Sequence, residues 1–295
     1  HADHAMYQAK EAGKNRFHLY DTDVEVEVRV QRELLERIER ALDSREFLLF
    51  YQPKVDLRSG RVVGVEALLR WQDPEHGLLL PGAFLPQIQN HMISQAVDKW
   101  VLSEAIKQLM TWQAIGLNLS ISVNVSGLSL QTHGFMDHLT KQLALHPRLK
   151  RSLLELEVLE TVALEDIEHI SSVISQGKAE GVRFALDDFG TGYSSLRYLK
   201  HLPADVLKID QSFVRDMLDD DEDRVIVEGV IGLSRAFNRE VVAEGVETLA
   251  HCLCLMDLGC DFAQGYGIAR PMHSSQFVAW LENWQPPMEW GKLRT

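Results

Sequence analysis

The sequence predicts an α/β fold, a modified TIM-type (β/α)8 barrel with one antiparallel strand. Short, β-prone apolar runs alternate with helical segments through most of the 295 residues, and about eight such repeats are typical of closed α/β barrels. A polar residue stands at or near the end of each run. The first two runs, Phe47 to Val55 and Arg61 to Trp71, are joined by only a few residues. This connection is too short for a parallel crossover, so the first strand is expected to run backwards.

The segment before the barrel is predicted to hold one helix and one strand. Ala2 to Lys10 has helical character, with Gly13 at the expected C-terminal cap, and Phe17 to Tyr20 follows as a strand. One helix and one strand cannot build a core alone. We therefore interpret residues 1–22 as the C-terminal remnant of an upstream domain.

Residues 23–42 are predicted to form a connecting helix. Its apolar residues recur with a heptad-like spacing, interrupted by Gln31, at Val24, Val28, Leu35, Ile38 and Leu42. This spacing fits a helix that pairs with a copy of itself. It fits equally an amphipathic helix that lies on its own barrel.

The barrel is assigned to residues 43–283. After the hairpin with its turn at residues 56–60, helices are predicted between or after the remaining strands, at about 94–114, 135–145, 163–180, 223–238, 247–258 and 274–283. Residues 284–295 form a tail. Because this tail contains Gln285, Pro286 and Pro287, it is expected to be poorly tied down.

Net charge, hydropathy and cysteine content indicate which partners and which cellular location to expect. A net charge of −13 argues against binding to a nucleic acid polymer or an anionic membrane, which requires basic surface. No apolar run is long enough to span a bilayer, and no signal peptide is expected. Any membrane attachment of the protein is expected upstream of His1. The three cysteines indicate a reduced, cytoplasmic setting. They are expected to pack rather than bind metal, because no second ligand pair has zinc-type spacing.

The polar residues at the strand ends are the candidate functional groups. In α/β barrels the chemistry collects at the carboxyl ends of the strands, and here those ends carry Glu66, Asn124, Glu157, Asp187, Lys208, Glu244 and Gln264. The adjacent Asp187 and Asp188 precede a loop with two glycines. Such a pair alone is most often an acidic, solvated turn. With the other strand-end groups it suits hard divalent cations.

Residues from about 33 to 283 resemble the EAL domain, the bacterial phosphodiesterase domain that cleaves cyclic di-GMP. The resemblance rests on Glu66-Ala67-Leu68-Leu69-Arg70-Trp71 together with Tyr51-Gln52-Pro53, Ser122 to Ser126, Asp187 to Leu196, Leu207 to Asp210, Ala243 to Glu247, Gly259 to Asp261 and Gln264 to Tyr266. Residues Ala2 to Arg16 resemble the last helix and strand of a GGDEF domain. The fold implied by the resemblance, a barrel with one reversed strand, agrees with the hairpin argument.

The resemblance implies metal-dependent hydrolysis of cyclic di-GMP to linear pGpG. Two cations, Mg²⁺ or Mn²⁺, are expected in the site. It implies that one cation is held by Glu66, Asn124, Glu157 and Asp187. Asp187 would bridge to the second cation, which Asp188 and Glu244 would also serve. Glu244 is the leading general base, and Lys208 is expected to position the attacking water and to offset carboxylate charge.

The substrate is expected to contact Gln52, Leu69, Arg70, Gln264 and Asp188. For Arg70 a salt bridge at the rim, and for Gln264 a structural amide, are the alternatives. The resemblance further implies a homodimer formed through the EAL domain. The segment that links dimerisation to metal binding would consist of Phe189, Gly190, Thr191, Gly192, Tyr193, Ser194, Ser195 and Glu160.

Two positions depart from the family pattern. Leu159 stands where many relatives carry threonine, and Gln89 stands where glutamate is usual; the second departure bears on substrate affinity or helix packing rather than on the metal ligands. A receptor that binds cyclic di-GMP without cleaving it is the first alternative function. Such inactive relatives typically lose the motif glutamate or the second aspartate, and here Glu66 and Asp188 are both present. A scaffold that pairs through the connecting helix is the second alternative.

Overall fold

The computed structural model describes residues 22–191 and 196–293, and its ten strands form one sheet that closes on itself. Eight strands make the barrel, in the order β1, β2, β4, β5, β6, β7, β8, β9 and back to β1. Their bounds are β1 Phe47–Asp56, β2 Val62–Asp73, β4 Ser120–Asn124, β5 Leu154–Leu159, β6 Arg183–Phe189, β7 Val206–Ile209, β8 Glu240–Ala243 and β9 Phe262–Gln264. Two short strands, β3 Gly77–Leu79 and β10 Met272–His273, extend β2 and β1.

The first strand runs antiparallel to both of its barrel neighbours. Gln52 of β1 pairs with Glu66 of β2, and Lys54 pairs with Gln264 of β9. From β2 onward, neighbouring barrel strands are parallel. The turn between β1 and β2 is closed by Asp56, whose Oδ1 accepts hydrogen bonds from the backbone N of Arg58 and Ser59. The predicted barrel with one reversed strand is therefore confirmed.

Helices surround the strands. They are α1 Thr22–Ser44, α2 Leu85–Ile88, α3 Ile93–Ala114, α4 Gly127–Leu130, α5 His133–Leu145, α6 Glu160–Glu165, α7 Ile167–Ala179, α8 Leu196–His201, α9 Gln211–Asp216, α10 Asp221–Ala236, α11 Leu249–Leu258 and α12 Ser274–Asn283, with 3₁₀ turns at Pro81–Ala83, Arg151–Leu153 and Met288–Leu293. The helix predicted over 163–180 is two helices. Asp166 separates them because it is non-helical, and its side chain caps α7 by accepting from His169 N.

The C-terminal half of α1 lies on the barrel. Ile38 and Ala41 are fully buried, and Leu34 and Leu35 pack against the same core. Arg37 forms an ion pair with Asp73 at the end of β2. This half of the helix therefore packs as the second interpretation of its spacing predicts, whereas pairing between two copies stays a prediction.

The interior of the barrel has an apolar side and a polar side. One wall is apolar and consists of Ala185, Val206 and Val242 on β6, β7 and β8, with Phe262 against them. Strands β1, β4 and β5 instead place Lys54, Ser122 and Glu155 inside, and all three are buried. The large apolar core lies outside the strands, between the barrel and the helices.

The end of the chain is better anchored than its sequence suggests. Trp284 Nε1 donates a 2.9 Å hydrogen bond to Gly60 O, and Trp290 is only 1% exposed. The expectation of a poorly tied tail is wrong as far as Trp290, because these indole rings pack where the two prolines alone indicated a free end. The predicted remnant at residues 1–22 lies, except for Thr22, outside the described residues. Within the described ranges, none of the helices combines the length and the apolar character that crossing a membrane requires.

Candidate active site

The predicted functional residues meet at one mouth of the barrel. Because β2 and β4 to β9 run in the same direction, their carboxyl ends share one rim. The reversed β1 contributes Gln52 from its middle, where this residue pairs with Glu66. The structure brings together Gln52, Glu66, Arg70, Asn124, Glu157, Asp187, Asp188, Lys208, Glu244 and Gln264.

Lys208 occupies the centre of this mouth and is 1% exposed. Its Nζ atom lies 2.6 Å from Glu157 Oε2, 2.7 Å from Glu244 Oε1 and 2.9 Å from Asp187 Oδ1. Burial disfavours the charged amine, but the carboxylates of Asp187, Glu157 and Glu244 outweigh burial and raise the pKa of Lys208 well above its usual value. Lys208 is therefore a fixed positive charge among anionic groups.

Glu66 is held by two amides. Asn124 Nδ2 donates a 2.7 Å hydrogen bond to Glu66 Oε1, and Gln264 Nε2 donates a 2.6 Å hydrogen bond to Glu66 Oε2. Burial alone would raise the pKa of Glu66, but Lys208 and these two donors outweigh burial and lower it. Glu66 is therefore held in a fixed orientation and in its ionised form.

A β-bulge presents the two adjacent aspartates. The pairing of β6 with β7 shifts between Leu186 and Phe189, and Asp188 has a left-handed backbone with φ 53°. Successive residues of a regular strand point to opposite faces, and a bulge can redirect one of them. Here one carboxylate oxygen each of Asp187, Asp188 and Glu244 lies within 4.8 Å of the other two.

The carboxylates of the mouth are crowded. Burial and the charges of Asp187 and Asp210 raise the pKa of Asp188 to about 7. Burial, with Asp187 and Glu66, raises the pKa of Glu244 to about 8 although Lys208 opposes this shift. The site thus contains more negative charge than its own ammonium group neutralises.

Glu157 shows the same excess of negative charge. Burial and the charge of Glu66 raise the pKa of Glu157 well above its usual value, while Lys208 and Lys54 act in the opposite direction. Its Oε1 atom is buried and, like Gln264 Oε1, accepts no hydrogen bond from the described residues. Crowded carboxylates and free oxygen acceptors are the donor set that hard divalent cations prefer, so the residues present fit such ions.

The side of the mouth expected to bind substrate is formed by Arg70 and Gln52. Arg70 Nη1 donates a 2.8 Å hydrogen bond to the Leu69 carbonyl, and its guanidinium lies 5.5 Å from the ring centroid of Phe50. Gln52 accepts from Gln264 Nε2 at 3.2 Å and donates to Ala269 O at 3.1 Å. A structural role was the alternative for Gln264, and its amide does donate a hydrogen bond to Glu66. A salt bridge was the alternative for Arg70, and none is formed among the described residues.

The predicted regulatory loop begins beside Asp188. Gly190 N donates a 3.0 Å hydrogen bond to Glu160 Oε2, and Thr191 Oγ1 donates to Asp188 O at 2.9 Å. Phe189 is buried in the core. Gly192, Tyr193, Ser194 and Ser195 lie outside the described residues. Glu160 and the start of the loop are therefore in direct contact.

The two departures from the family pattern lie on the surface. Gln89 is exposed at the C-terminal end of α2, and Leu159 is 38% exposed beside Glu160. Neither residue reaches the carboxylate cluster through a described hydrogen bond or ion pair. The structure therefore places both outside the set of predicted metal ligands.

Sequence reasoning missed three supporting residues. Asp210 shares a side-chain hydrogen bond with Asp188, Asp98 accepts from Ser126 N and Oγ just after Asn124, and Lys54 lies below Glu157. Asp210 is the last residue of the motif Leu207 to Asp210 and directly follows β7. This position at a strand end could have identified it. Asp98 lies on a helix distant in sequence, and its role depends on a tertiary contact.

The chain matches a protein-family model and two curated bacterial proteins. The family model described as "EAL domain" matches residues 35–271. The chain is 42% identical over 279 residues to the "Bifunctional diguanylate cyclase/cyclic di-GMP phosphodiesterase MucR" of Pseudomonas aeruginosa, covering 94% of this chain and 41% of that protein. It is 34% identical over 284 residues to the "Cyclic di-GMP phosphodiesterase PdeR" of Escherichia coli, covering 96% of this chain and 43% of that protein.

A solved structure shows the same fold. The structure titled "PaMucR Phosphodiesterase, c-di-GMP complex" matches with a TM-score of 0.80 and 43% identity, over 83% of this chain and 99% of that one. The chain spans less than half the length of the two curated relatives. The family match covers most of the chain and includes every strand of the barrel, from β1 to β9. The chain belongs to the EAL domain family.

Proposed function

We propose that this protein hydrolyses cyclic di-GMP to linear pGpG in a reaction that depends on divalent cations. The observation that carries the proposal is the convergence of Asp187, Asp188 and Glu244 within 4.8 Å, beside the buried Lys208. Relatives named as cyclic di-GMP phosphodiesterases and a neighbour solved as a cyclic di-GMP complex support the choice of substrate.

The proposed cofactor is a pair of Mg²⁺ or Mn²⁺ ions. When bound, such ions stabilise the charge of a phosphodiester under attack, lower the pKa of water and balance the leaving oxygen. Glu66, Asn124, Glu157 and Asp187 would hold one ion. Asp187, Asp188 and Glu244 would hold the other.

The chain's own residues then orient the reactants. Glu244 is the proposed general base, because its carboxylate adjoins both Lys208 and the aspartate pair. Lys208 positions the attacking water and offsets carboxylate charge. Arg70 binds a phosphate of the substrate, and Gln52, Leu69, Gln264 and Asp188 complete the substrate site. Attack by water in line with the leaving 3′-oxygen opens the cyclic dinucleotide.

We also propose a regulatory link through Glu160. Its hydrogen bond to Gly190 N ties the start of α6 to the loop that follows the aspartate pair. Dimerisation through the EAL domain would act on this loop, residues 189–195, and so on Asp188. The homodimer and this loop's role are part of the proposal.

We propose four segments along the chain, from the sequence pattern and the resemblance to known domains. Residues 1–22 are the end of a GGDEF-like domain, 23–42 the connecting helix, 43–283 the phosphodiesterase barrel and 284–295 the tail. The proposed location is the cytoplasm. We propose no nucleic acid polymer as a partner.

The proposal is tested by analysing the products. The purified chain is incubated with cyclic di-GMP and Mg²⁺, with and without a chelator, and nucleotides are separated by chromatography. We expect metal-dependent appearance of pGpG. Tight binding of cyclic di-GMP without product would contradict the proposal and assign the chain to the receptors.

A matched pair of variants locates the reaction. Asp187→Asn keeps the size of the side chain and should abolish product formation, whereas Asp216→Asn changes an exposed carboxylate at the end of α9 and should leave turnover within about twofold. Near-normal turnover of Asp187→Asn with Mg²⁺ would show that the metal assignment is wrong.

A further inference from the structure

A second polar layer lies beneath the proposed metal ligands, inside the barrel. Lys54 of β1 is 4% exposed. Its Nζ atom donates to Ser122 Oγ of β4 and lies 2.8 Å from Glu155 Oε1 of β5. Glu155 has further partners, since Ser122 Oγ donates to it at 2.5 Å and Arg183 Nε lies 3.4 Å from Oε2. Lys54 is therefore one of several groups that hold Glu155.

Lys54 also faces the layer above it. Its Nζ atom lies 3.9 Å from Glu157 Oε1, an oxygen that accepts no hydrogen bond from the described residues. The other oxygen of Glu157 lies 2.6 Å from Lys208 Nζ. Glu157 therefore lies between two buried ammonium groups, with one carboxylate oxygen facing each.

A need for packing does not explain a charge at this depth. On the other wall the interior is closed by the small and apolar side chains of Ala185, Val206 and Val242. Buried ion pairs contribute little net stability compared with well-packed apolar groups of similar volume. An ammonium group beneath a carboxylate ligand instead fixes the direction in which that ligand points.

We propose that Lys54 is a positioning residue for Glu157, and that it orients this carboxylate for a divalent cation. This inference rests on the proposed function, because Glu157 acts as a metal ligand there. Lys54 itself touches neither cation nor substrate. Its action is to attract Glu157 Oε1 from below, so that both oxygens keep fixed places relative to Lys208 and Asp187.

The test separates positioning from simple neutralisation of Glu155. Three variants are compared with the wild-type chain: Lys54→Met, Glu155→Met and the double variant. Mn²⁺ binding is measured by calorimetry, and the stability of the metal-free chain by urea unfolding. Lys54→Met should weaken Mn²⁺ binding about 10- to 100-fold and should also lower stability, since Glu155 loses a partner.

The double variant decides between the two roles. Removing both members of the Lys54–Glu155 pair should restore stability, yet Mn²⁺ binding should stay as weak as in Lys54→Met. Glu155→Met keeps Lys54 and should bind Mn²⁺ within about threefold of the wild-type chain. If the double variant binds Mn²⁺ as tightly as the wild-type chain, Lys54 only neutralises Glu155 and this inference is overturned. A wild-type chain that binds no Mn²⁺ contradicts the proposed function as well.

Discussion

Asp187 and Asp188 are consecutive residues, yet both carboxylates reach the mouth of the barrel. In a regular strand they would point to opposite sides of the sheet. The bulge between β6 and β7 and the left-handed backbone of Asp188 turn the second side chain toward the first. Non-glycine residues rarely adopt this conformation, and such backbone strain tends to occur at functional sites.

Substitutions at Asp188 should separate backbone strain from function. Asp188→Asn should keep stability within about 0.5 kcal/mol, because asparagine tolerates the left-handed region, but should abolish metal-dependent hydrolysis. Asp188→Ala should lose activity and also about 1 kcal/mol of stability. Urea unfolding and product analysis measure the two effects. Equal stability of the two variants would show that the backbone at this position carries no strain.

Binding of Mg²⁺ should release protons near neutral pH. With pKa values of about 7 for Asp188 and about 8 for Glu244, both groups keep part of their protons at about pH 7. Because a bound cation favours the ionised carboxylates, protons leave as the metal binds. Above about pH 9 both groups are almost fully ionised, and their contribution to the release should nearly vanish.

Calorimetry in two buffers that differ in ionisation enthalpy measures this release. The apparent binding enthalpy should depend on the buffer at about pH 7 and should depend on it much less at about pH 9. Metal affinity should rise with pH over the same interval. A buffer-independent enthalpy at about pH 7 would show that these two carboxyls are ionised before the cation arrives.

Glu155 should contribute to acid stability. Burial opposes its charge, but Lys54, Ser122 and Arg183 outweigh burial and lower the pKa of Glu155 from 4.5 to about 2. A carboxyl whose folded-state pKa is lowered stabilises the fold above its unfolded pKa, and this contribution is lost as pH falls from about 4.5 to about 2.

Glu155→Gln is the variant that tests this contribution. It should lower the free energy of unfolding by on the order of 3 kcal/mol at about pH 7. The difference from the wild-type chain should shrink at about pH 3, because Glu155 is then mostly protonated in the unfolded wild-type chain and must lose that proton on folding. Urea unfolding at the two pH values measures it, and a difference that does not change with pH would contradict the pKa assigned to Glu155.

Gly190 should resist substitution. Its φ of 105° is strained for any residue with a side chain, and an added Cβ would lie 3.1 Å from Phe213 Cε2. Gly190→Ala should cost about 1–2 kcal/mol and should weaken the contact with Glu160. Gly229 in α10 is the matched control, because nothing lies within 4 Å of its added Cβ. Gly229→Ala should stabilise by about 0.5–1 kcal/mol; equal effects of the two changes would contradict this account.

Much of the fold and site could be predicted from local sequence. The five-residue connection at 56–60 required a hairpin, because a parallel crossover needs about a dozen residues or more. From this constraint the reversed β1 followed, and the position of Gln52 beside Glu66 agrees with it. Strand-end polar residues such as Asn124 and Glu244 were identified because parallel strands place their carboxyl ends together.

The remaining features depend on contacts between distant segments. Asp166 breaks the helix predicted over 163–180 where its side chain can cap α7, and Trp290 anchors the tail in a core that is built by other elements. The partners of Lys54 lie 68 and 101 residues away in sequence. No local pattern encodes such pairings.

By itself, the sequence determined the barrel, its reversed strand and the side chains that line its mouth, because hydrophobic periodicity and loop length act locally. The tertiary structure alone decided how those side chains are charged and aimed. Burial and crowding set the pKa values of Asp188 and Glu244, and the bulge turned Asp188 inward. Lys54 reached the underside of Glu157 only because the curvature of the barrel brings β1 and β5 together across its interior. Electrostatic interaction depends on distance in space rather than on separation along the chain.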